Sequence, residues 1–248
     1  MVAHLKEEIR ILPEIEGTTV WKGVREALRH TMLQQEDWWG FRSWSTVHFA
    51  LYSDPKSCAP EKEYLGGTRW KSLLDIADPD TCTSVTQIYN LALYEEVTGR
   101  QLSDGDKILE FGGGYGEMAN FVQRMIEPDW YTVYDFPELC ILQRWYWENV
   151  CGVKFALKNT DDIRDIVGLE PDLFVSICGI SEAPMPFKRH FLDIINPSSI
   201  LIQYQGAFEG HNNVNEFTEY AESRFNNVHH TLRLGGVRHC ILIAWDPK

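Results

Sequence analysis

The sequence has few features that would tie it to a membrane, an oxidising compartment or nucleic acid. Its longest uninterrupted apolar stretches, such as CILIAW at 240–245, fall far short of the roughly 20 residues that a membrane-spanning helix needs. The opening MVAHLKEEIRILPEIEG interleaves charge with apolar residues. It lacks the apolar run and small-residue cleavage site of a secretory leader, so a cytoplasmic protein with no membrane partner is expected. Only six cysteines occur among 248 residues, with no C-x-x-C pair and no histidine at ligand spacing, which argues against a zinc site and for buried, reduced thiols. Basic residues are in deficit as well, 23 against 36 acidic, for a formal net charge of -13. The excess of acid holds along the chain, with 11 basic and 15 acidic residues in 1–100 and 12 and 21 in the remainder. Such a field repels a phosphate backbone, so nucleic acid is not an expected partner. There is no internal repeat and no low-complexity segment. What is present is 44% apolar and 12% aromatic residues, enough to bury the core of one domain with an elaboration.

From about residue 105, short apolar runs alternate with helix-period segments, the pattern of a parallel sheet covered on both faces. KILEFG reads as a first strand, YGEMANFVQRMI as a helix and WYTVYD as a second strand. FPELCILQRWYWENV predicts a helix with Pro137 in its first turn and Gly152 as its stop. VKFAL, DLFVSICGI and SILIQYQ predict the third to fifth strands, with a loop at KNTDD and a helix around PFKRHFLDII. In NNVNEFTEYAESRF, Val214, Phe217, Tyr220, Ala221 and Phe225 share one helical face, and Asn213 with Glu216 three residues on resembles a capping box. NVHHTLRL and VRHCILIAWD then flank Gly235-Gly236, a hairpin signal that sets the last strand antiparallel to its neighbour. By analogy of fold, a mostly parallel sheet closed by such a hairpin is the architecture of Rossmann-like class I methyltransferases. The expected fold is therefore α/β, with a mostly parallel seven-stranded sheet. Ahead of it, TSVTQIYNLALYEEVTG predicts a helix capped by Thr83 or Ser84 and stopped by Gly99. Residues 1–82 are expected to form a mainly helical, partly irregular cap, and 83–248 the cofactor-binding domain.

ILEFGGGYGEMANFV, residues 108–122, carries the strongest chemical signal. Glycines between a strand and a helix let the backbone approach a ligand, which the free N–H groups of the helix's first turn then face. The dinucleotide fingerprint G-x-G-x-x-G would require a glycine where Glu117 stands. What fits is E-x-G-x-G-x-G, from Glu110 through Gly112 and Gly114 to Gly116, the loop of S-adenosylmethionine enzymes. Asp135 follows Gly114 by 21 residues, at the end of the second strand, where a carboxylate can accept ribose hydroxyls.

ILEFGGGYGEMA, YDFPELCILQRWY and DLFVSICGISE together resemble the sugar O-methyltransferase family of bacterial polysaccharide and natural-product clusters, over residues 83 to 205. The resemblance implies methyl transfer from S-adenosylmethionine to a sugar hydroxyl, on a nucleotide-linked sugar or a glycan. It implies that Glu110, Gly112, Gly113, Gly114 and Gly116 line the methionine part and Asp135 the ribose. Phe136 would take one adenine face, Asp161 or Asp162 the adenine edge, and Tyr115 would cover the cofactor. Gln87 and Asn90 would reach it from the preceding helix, and Cys178, after the fourth strand, is expected among the cofactor-binding residues.

Moving a methyl from sulfonium to oxygen needs in-line alignment and a base for the hydroxyl proton. Glu182, just past the fourth strand, and His211, in the loop after the fifth, lie at the correct edge of the sheet. His211 titrates near neutrality and is the more capable base, the alternative being an ordinary loop residue. Glu182 can act itself, orient a histidine, bind sugar hydroxyls, or serve only as a helix N-terminal carboxylate. His190, His229, His230 and His239 read as structural, and no metal is expected. Trp38, Trp39 and Trp44 leave three roles open: packing, contact in a homo-oligomer, or stacking on a sugar ring. Two alternative functions stand beside the leading one, a methyltransferase for a non-sugar acceptor and a non-catalytic cofactor-binding subunit.

Overall fold

Strands whose consecutive residues are all apolar can bury both faces, and such strands build the centre of this molecule. The computed structural model of the chain describes residues 2–12, 19–34, 56–77, 82–152, 157–208, 210–234 and 239–248. The expected tryptophan cluster at 38, 39 and 44 and the Gly235-Gly236 turn lie outside the described residues. Strands β1 (Lys107–Phe111), β2 (Trp130–Tyr134), β3 (Leu157–Thr160), β4 (Leu173–Ile177) and β5 (Ser199–Gln205) run parallel. A two-residue hairpin, β6 (Ala207–Phe208) and β7 (His211–Asn212), follows β5. Strands β8 (Phe225–Leu232) and β9 (His239–Pro247) complete a seven-stranded sheet in the order β3-β2-β1-β4-β5-β9-β8. The last strand is antiparallel to both neighbours and lies inside the sheet, between β5 and β8.

Side chains alternate across the sheet with a period of two and feed two cores. Ile108, Tyr131, Val133, Leu173, Leu201 and Ile243 face helices α4 (Cys82–Thr98), α5 (Glu117–Met125) and α6 (Pro137–Tyr146). Leu109, Phe174, Ile200, Ile202 and Leu242 face α7 (Met185–Ile195) and α8 (Asn213–Arg224). Pro137 occupies the first turn of α6, and its helical run continues as a π-turn, Trp147–Cys151, that Gly152 stops in the left-handed region. Gly99 ends α4 in the same conformation.

Boundaries differ from expectation at three places. Helix α4 already includes Cys82, so Thr83 and Ser84, expected as its cap, lie inside it. The third strand continues through Thr160 over LKNT, a segment whose polarity reads as loop; its first four expected residues lie outside the described ones. It is an edge strand, so polar side chains there cost little. The cap of α8 is Asn212, whose Oδ1 accepts from the Asn215 amide at 3.2 Å, and Asn213 is already helical. Val214, expected on the buried face of α8, is 38% exposed.

The N-terminal helices α1 (Val2–Arg10), α2 (Thr19–Gln34) and α3 (Ala59–Leu65) join the first of these cores through Ile9, Leu28, Met32 and Leu65. Ion pairs on two buried carboxylates help to fasten them. Glu138, fully buried near the start of α6, accepts Arg25 Nε at 3.0 Å and Arg29 Nε at 2.6 Å. Glu61 of α3 and Arg233, beyond β8, form a pair with both side chains buried, Nε to Oε1 at 2.6 Å. Among the described residues no helix is long and apolar enough to cross a membrane.

Candidate functional site

In an open α/β sheet a crevice forms where neighbouring strands send their connections to opposite faces. Here that point lies between β1, which leads to α5 on one face, and β4, which leads to α7 on the other. The two loops touch. A Cβ on Gly112 would lie 3.0 Å from Gly179 Cα, and one on Gly179 would lie 2.9 Å from the Phe111 carbonyl oxygen. Other glycines of the loop are demanded by packing below it. A Cβ on Gly113 would meet Val133 at 2.7 Å and Glu110 Oε2 at 3.0 Å, and one on Gly116 would meet Trp147 Nε1 at 2.4 Å. Gly114 differs: its φ is +58° and nothing stands within 4 Å of where a Cβ would be. Of the loop glycines, 114 is the one that faces open space, and it is where a ligand can approach the backbone.

The carboxylates sort in the same way. Glu110, expected beside a ligand's cationic groups, is 2% exposed beneath Gly113 and accepts the Tyr131 hydroxyl at 2.8 Å. Burial pushes it up to about 7, against that hydrogen bond. It supports the loop from below. Asp135, 8% exposed, receives three donors: Gly114 N–H at 3.1 Å, Phe136 N–H at 2.8 Å and Gln143 Nε2 at 2.9 Å. Burial, with Glu110 adding repulsion, pushes it up to about 8 against those donors. Gln143 also donates to the Gly114 carbonyl at 2.9 Å, and Asn159 donates to Gln143 Oε1 at 3.1 Å, which fixes the amide's orientation. Sequence reasoning missed Gln143, although it sits two helical turns after Asp135 on α6.

Tyr115, expected as a cover, is buried at 8% exposure with its ring edge-on to Tyr146, centroids 5.1 Å apart. Phe136 precedes α6 and carries the Arg25 guanidinium 5.0 Å from its ring centre. Asp162 caps the short 3-10 turn after β3, and Arg164 Nε reaches both its oxygens at 2.9 Å. That pairing holds its carboxyl down to about 2. Asp161 is exposed beside it, its charge felt by Tyr134 and Cys140.

α4 crosses the site on the β5–β9 side. Ser84 Oγ donates to Glu117 at 2.7 Å just past the glycine loop, and Asn90 Nδ2 donates to Gln203 Oε1 at 2.8 Å on β5. Gln87 lies between them. Both Gln87 Oε1 and Asn90 Oδ1 are buried and have no hydrogen-bond partner, a costly state that a ligand's N–H groups would relieve. Asn90 Nδ2 also donates to the Thr86 carbonyl at 2.8 Å, so Gln203 Oε1 must accept and Gln203 Nε2 must donate to His239 Nδ1, 3.0 Å away. His239 is thereby held neutral with its proton on Nε2; burial and then Arg233 push it down to about 4. Cys178 ends this row with φ +67°, rare for a side chain other than glycine, its Sγ 3.6 Å from His239 Nδ1.

At the far side, Glu182 stands on a 3-10 turn after β4 rather than at a helix N-terminus. Its Oε1 accepts Gln205 Nε2 at 2.7 Å; burial pushes the carboxyl up against that bond. Gln205 Oε1 accepts Ser181 Oγ at 2.8 Å, and the Gln205 carbonyl accepts Asn213 Nδ2 at 2.9 Å. His211 lies in strand β7, not in a loop, and its side chain is 42% exposed. Glu182 is thus tied through Gln205 to Asn213, two positions after His211.

No family model matches the chain, and no curated protein matches it in sequence. Solved structures match in shape. The Thermoplasma acidophilum protein 1320 aligns at 14% identity over 71% of this chain and 95% of its own, with a TM-score of 0.50. The fold is the Rossmann-like α/β fold of class I methyltransferases. CurJ carbon methyltransferase aligns at 12% identity over 82% of this chain and 70% of its own, TM-score 0.47. Magnesium protoporphyrin IX methyltransferase from Synechocystis PCC 6803, solved with bound SAM, aligns at 11% over 78% and 98%, TM-score 0.46. At these identities the likeness concerns the fold.

Proposed function

We propose that the chain is an S-adenosylmethionine-dependent O-methyltransferase that acts on a hydroxyl of a sugar. The observation that carries the cofactor half is the pair of orphaned buried acceptors, Gln87 Oε1 and Asn90 Oδ1, together with an open Gly114 whose amide is tied to Asp135. Acceptors without donors fit a ligand that brings an ammonium group, and acidic surroundings fit a cation better than a pyrophosphate. Asp135, with Gln143 fixing one oxygen, would accept the ribose hydroxyls; Phe136 and the exposed Asp161 would meet the adenine. When bound, the cofactor supplies a methyl group on a sulfonium, activated for in-line displacement.

The remaining work falls to this chain's side chains. His211 takes the proton of the acceptor hydroxyl, for which its half-exposed ring and position beyond β5 suit it. Glu182, whose burial favours the protonated form, holds acceptor hydroxyls together with Gln205. The sugar acceptor rests on the resemblance of the three motifs at 108–119, 134–146 and 172–182.

Calorimetric titration with S-adenosylhomocysteine, with NAD as comparison, tests the cofactor. Micromolar binding of the first alone is expected, and no binding would end this reading. Labelled methyl donor with a panel of nucleotide sugars and glycans then tests the acceptor. His211→Ala should lower turnover by roughly a hundredfold with cofactor affinity unchanged. Full turnover in both His211→Ala and Glu182→Ala would put the base elsewhere.

A further inference from the structure

Behind His211 stands a buried cluster to which neither the fold nor the cofactor assigns a task. Glu216 lies in the first turn of α8, where the capping role belongs to Asn212. Its carboxylate instead faces the hairpin and α7. Oε1 is 3.9 Å from His211 Nδ1, and Oε2 is 3.7 Å from Lys188 Nζ. Oε2 is buried and lacks a hydrogen-bond partner. Lys188 is 2% exposed; its Nζ donates to Asn213 Oδ1 at 2.6 Å and stands 5.7 Å from the Phe217 ring centre. Burial lowers this lysine, and Glu216 opposes that effect. A buried cation and a half-satisfied carboxylate carry a desolvation cost that surface positions on the same helices would avoid. What the arrangement provides is a negative charge held at one edge of an imidazole.

We propose that Glu216 is a positioning residue that faces His211 Nδ1, keeps the ring proton there and leaves Nε2 to receive the acceptor's proton, with Lys188 anchoring the carboxylate. The inference rests on the reading of His211 as the base. The proton balance is simple: the acceptor O–H bond breaks, its proton joins Nε2, and the resulting imidazolium is balanced by Glu216. A separation of 3.9 Å exceeds a hydrogen bond, and such contacts commonly tighten when an acceptor binds. His239 gives the contrast, since Gln203 holds its proton on the other nitrogen.

The test is 15N NMR of the His211 ring in the full chain with S-adenosylhomocysteine bound, recorded on the uncharged imidazole. Wild type should show the Nδ1–H tautomer, and Glu216→Ala should shift it toward Nε2–H. Glu216→Gln, nearly isosteric, should melt with wild type yet lose turnover by roughly tenfold or more, with acceptor KM and cofactor affinity within about threefold. Glu216→Asp should restore part of that loss. An Nε2–H tautomer in wild type, or a tautomer indifferent to Glu216→Ala, overturns the inference while leaving His211 as base if His211→Ala is inactive. A responsive tautomer with a fully active His211→Ala overturns the reading of His211 itself, and the catalytic role of Glu216 with it.

Discussion

The glycine-loop edge and the hairpin edge of the site are built on different principles. At the first, groups are fixed largely by backbone: Asp135 by the amides of Gly114 and Phe136 beside one side chain, Gln143, and the loop by Gly112, Gly113 and Gly116, which leave little room for a Cβ. At the second, groups are fixed by other side chains: Glu182 by Gln205, and Glu216 between His211 and Lys188. Backbone fixes position without spending side-chain entropy, which suits a ligand whose shape never changes. Side-chain networks can be altered one residue at a time without moving a strand, which suits an acceptor that differs between enzymes sharing this fold.

Substitutions within the loop break that comparison most sharply. Gly116→Ala places a methyl 2.4 Å from Trp147 and enforces φ +92° on a residue with a Cβ, so a loss of about 3 kcal/mol in stability, together with loss of S-adenosylhomocysteine binding, should appear in urea melts and calorimetry. Gly114→Ala, with open space, should cost only about 1 kcal/mol of stability while still weakening the ligand. If both variants behaved alike, the division into packing and ligand-facing glycines would be wrong. Asp135→Asn should weaken S-adenosylhomocysteine by at least about tenfold, worth some 1.4 kcal/mol, since the amide cannot accept in the same way. Unchanged affinity would remove Asp135 from the site.

The dependence on pH sharpens the same contrast. Glu110 and Asp135 are raised to about 7 and about 8, so the folded chain keeps protons that the unfolded chain has lost above about pH 4. The unfolded state binds fewer protons, and stability of the ligand-free protein should fall as pH rises from 5 to 8, by at least about 1 kcal/mol. Urea midpoints across that range would show it, and a rising midpoint would contradict it. Glu110→Gln should flatten the curve. The smallest effect belongs to the adenine edge: Asp162→Ala, removing an exposed pair with Arg164, should leave the urea midpoint and the affinity close to wild type, whereas Asp161→Ala should weaken affinity a few-fold.

How much of this was legible in the sequence follows from the same division. The strands, their mostly parallel order and the terminal antiparallel strand could be read because burial on two faces and a Gly-Gly pair between apolar runs leave local patterns. Spacing singled out Gly112, Gly114 and Asp135, and in the structure the Gly114 amide donates to Asp135. Roles within the loop were not: Glu110 and Tyr115 carry ligand-site residue types, yet they point into the core, toward Tyr131 and Tyr146, which only the packed sheet and α6 reveal. Glu216 reads as a helix cap until the true cap at Asn212 is seen. Gln203 and His239 become one chain of hydrogen bonds with Asn90 only because β9 threads beside β5.

That threading also governs the order in which the molecule can be made. Among the described residues, strand β8 pairs in the sheet with β9 alone, and β9 is made after every other strand of the sheet. Until then β5 presents an open edge of apolar backbone, the kind of surface that chaperones hold and that aggregates recruit. Arg233, whose mate Glu61 emerges early, must wait for the same event. Glu61 is therefore a carboxylate prepared for a guanidinium made 172 residues later, and deleting β9 should leave a species that collapses but does not close.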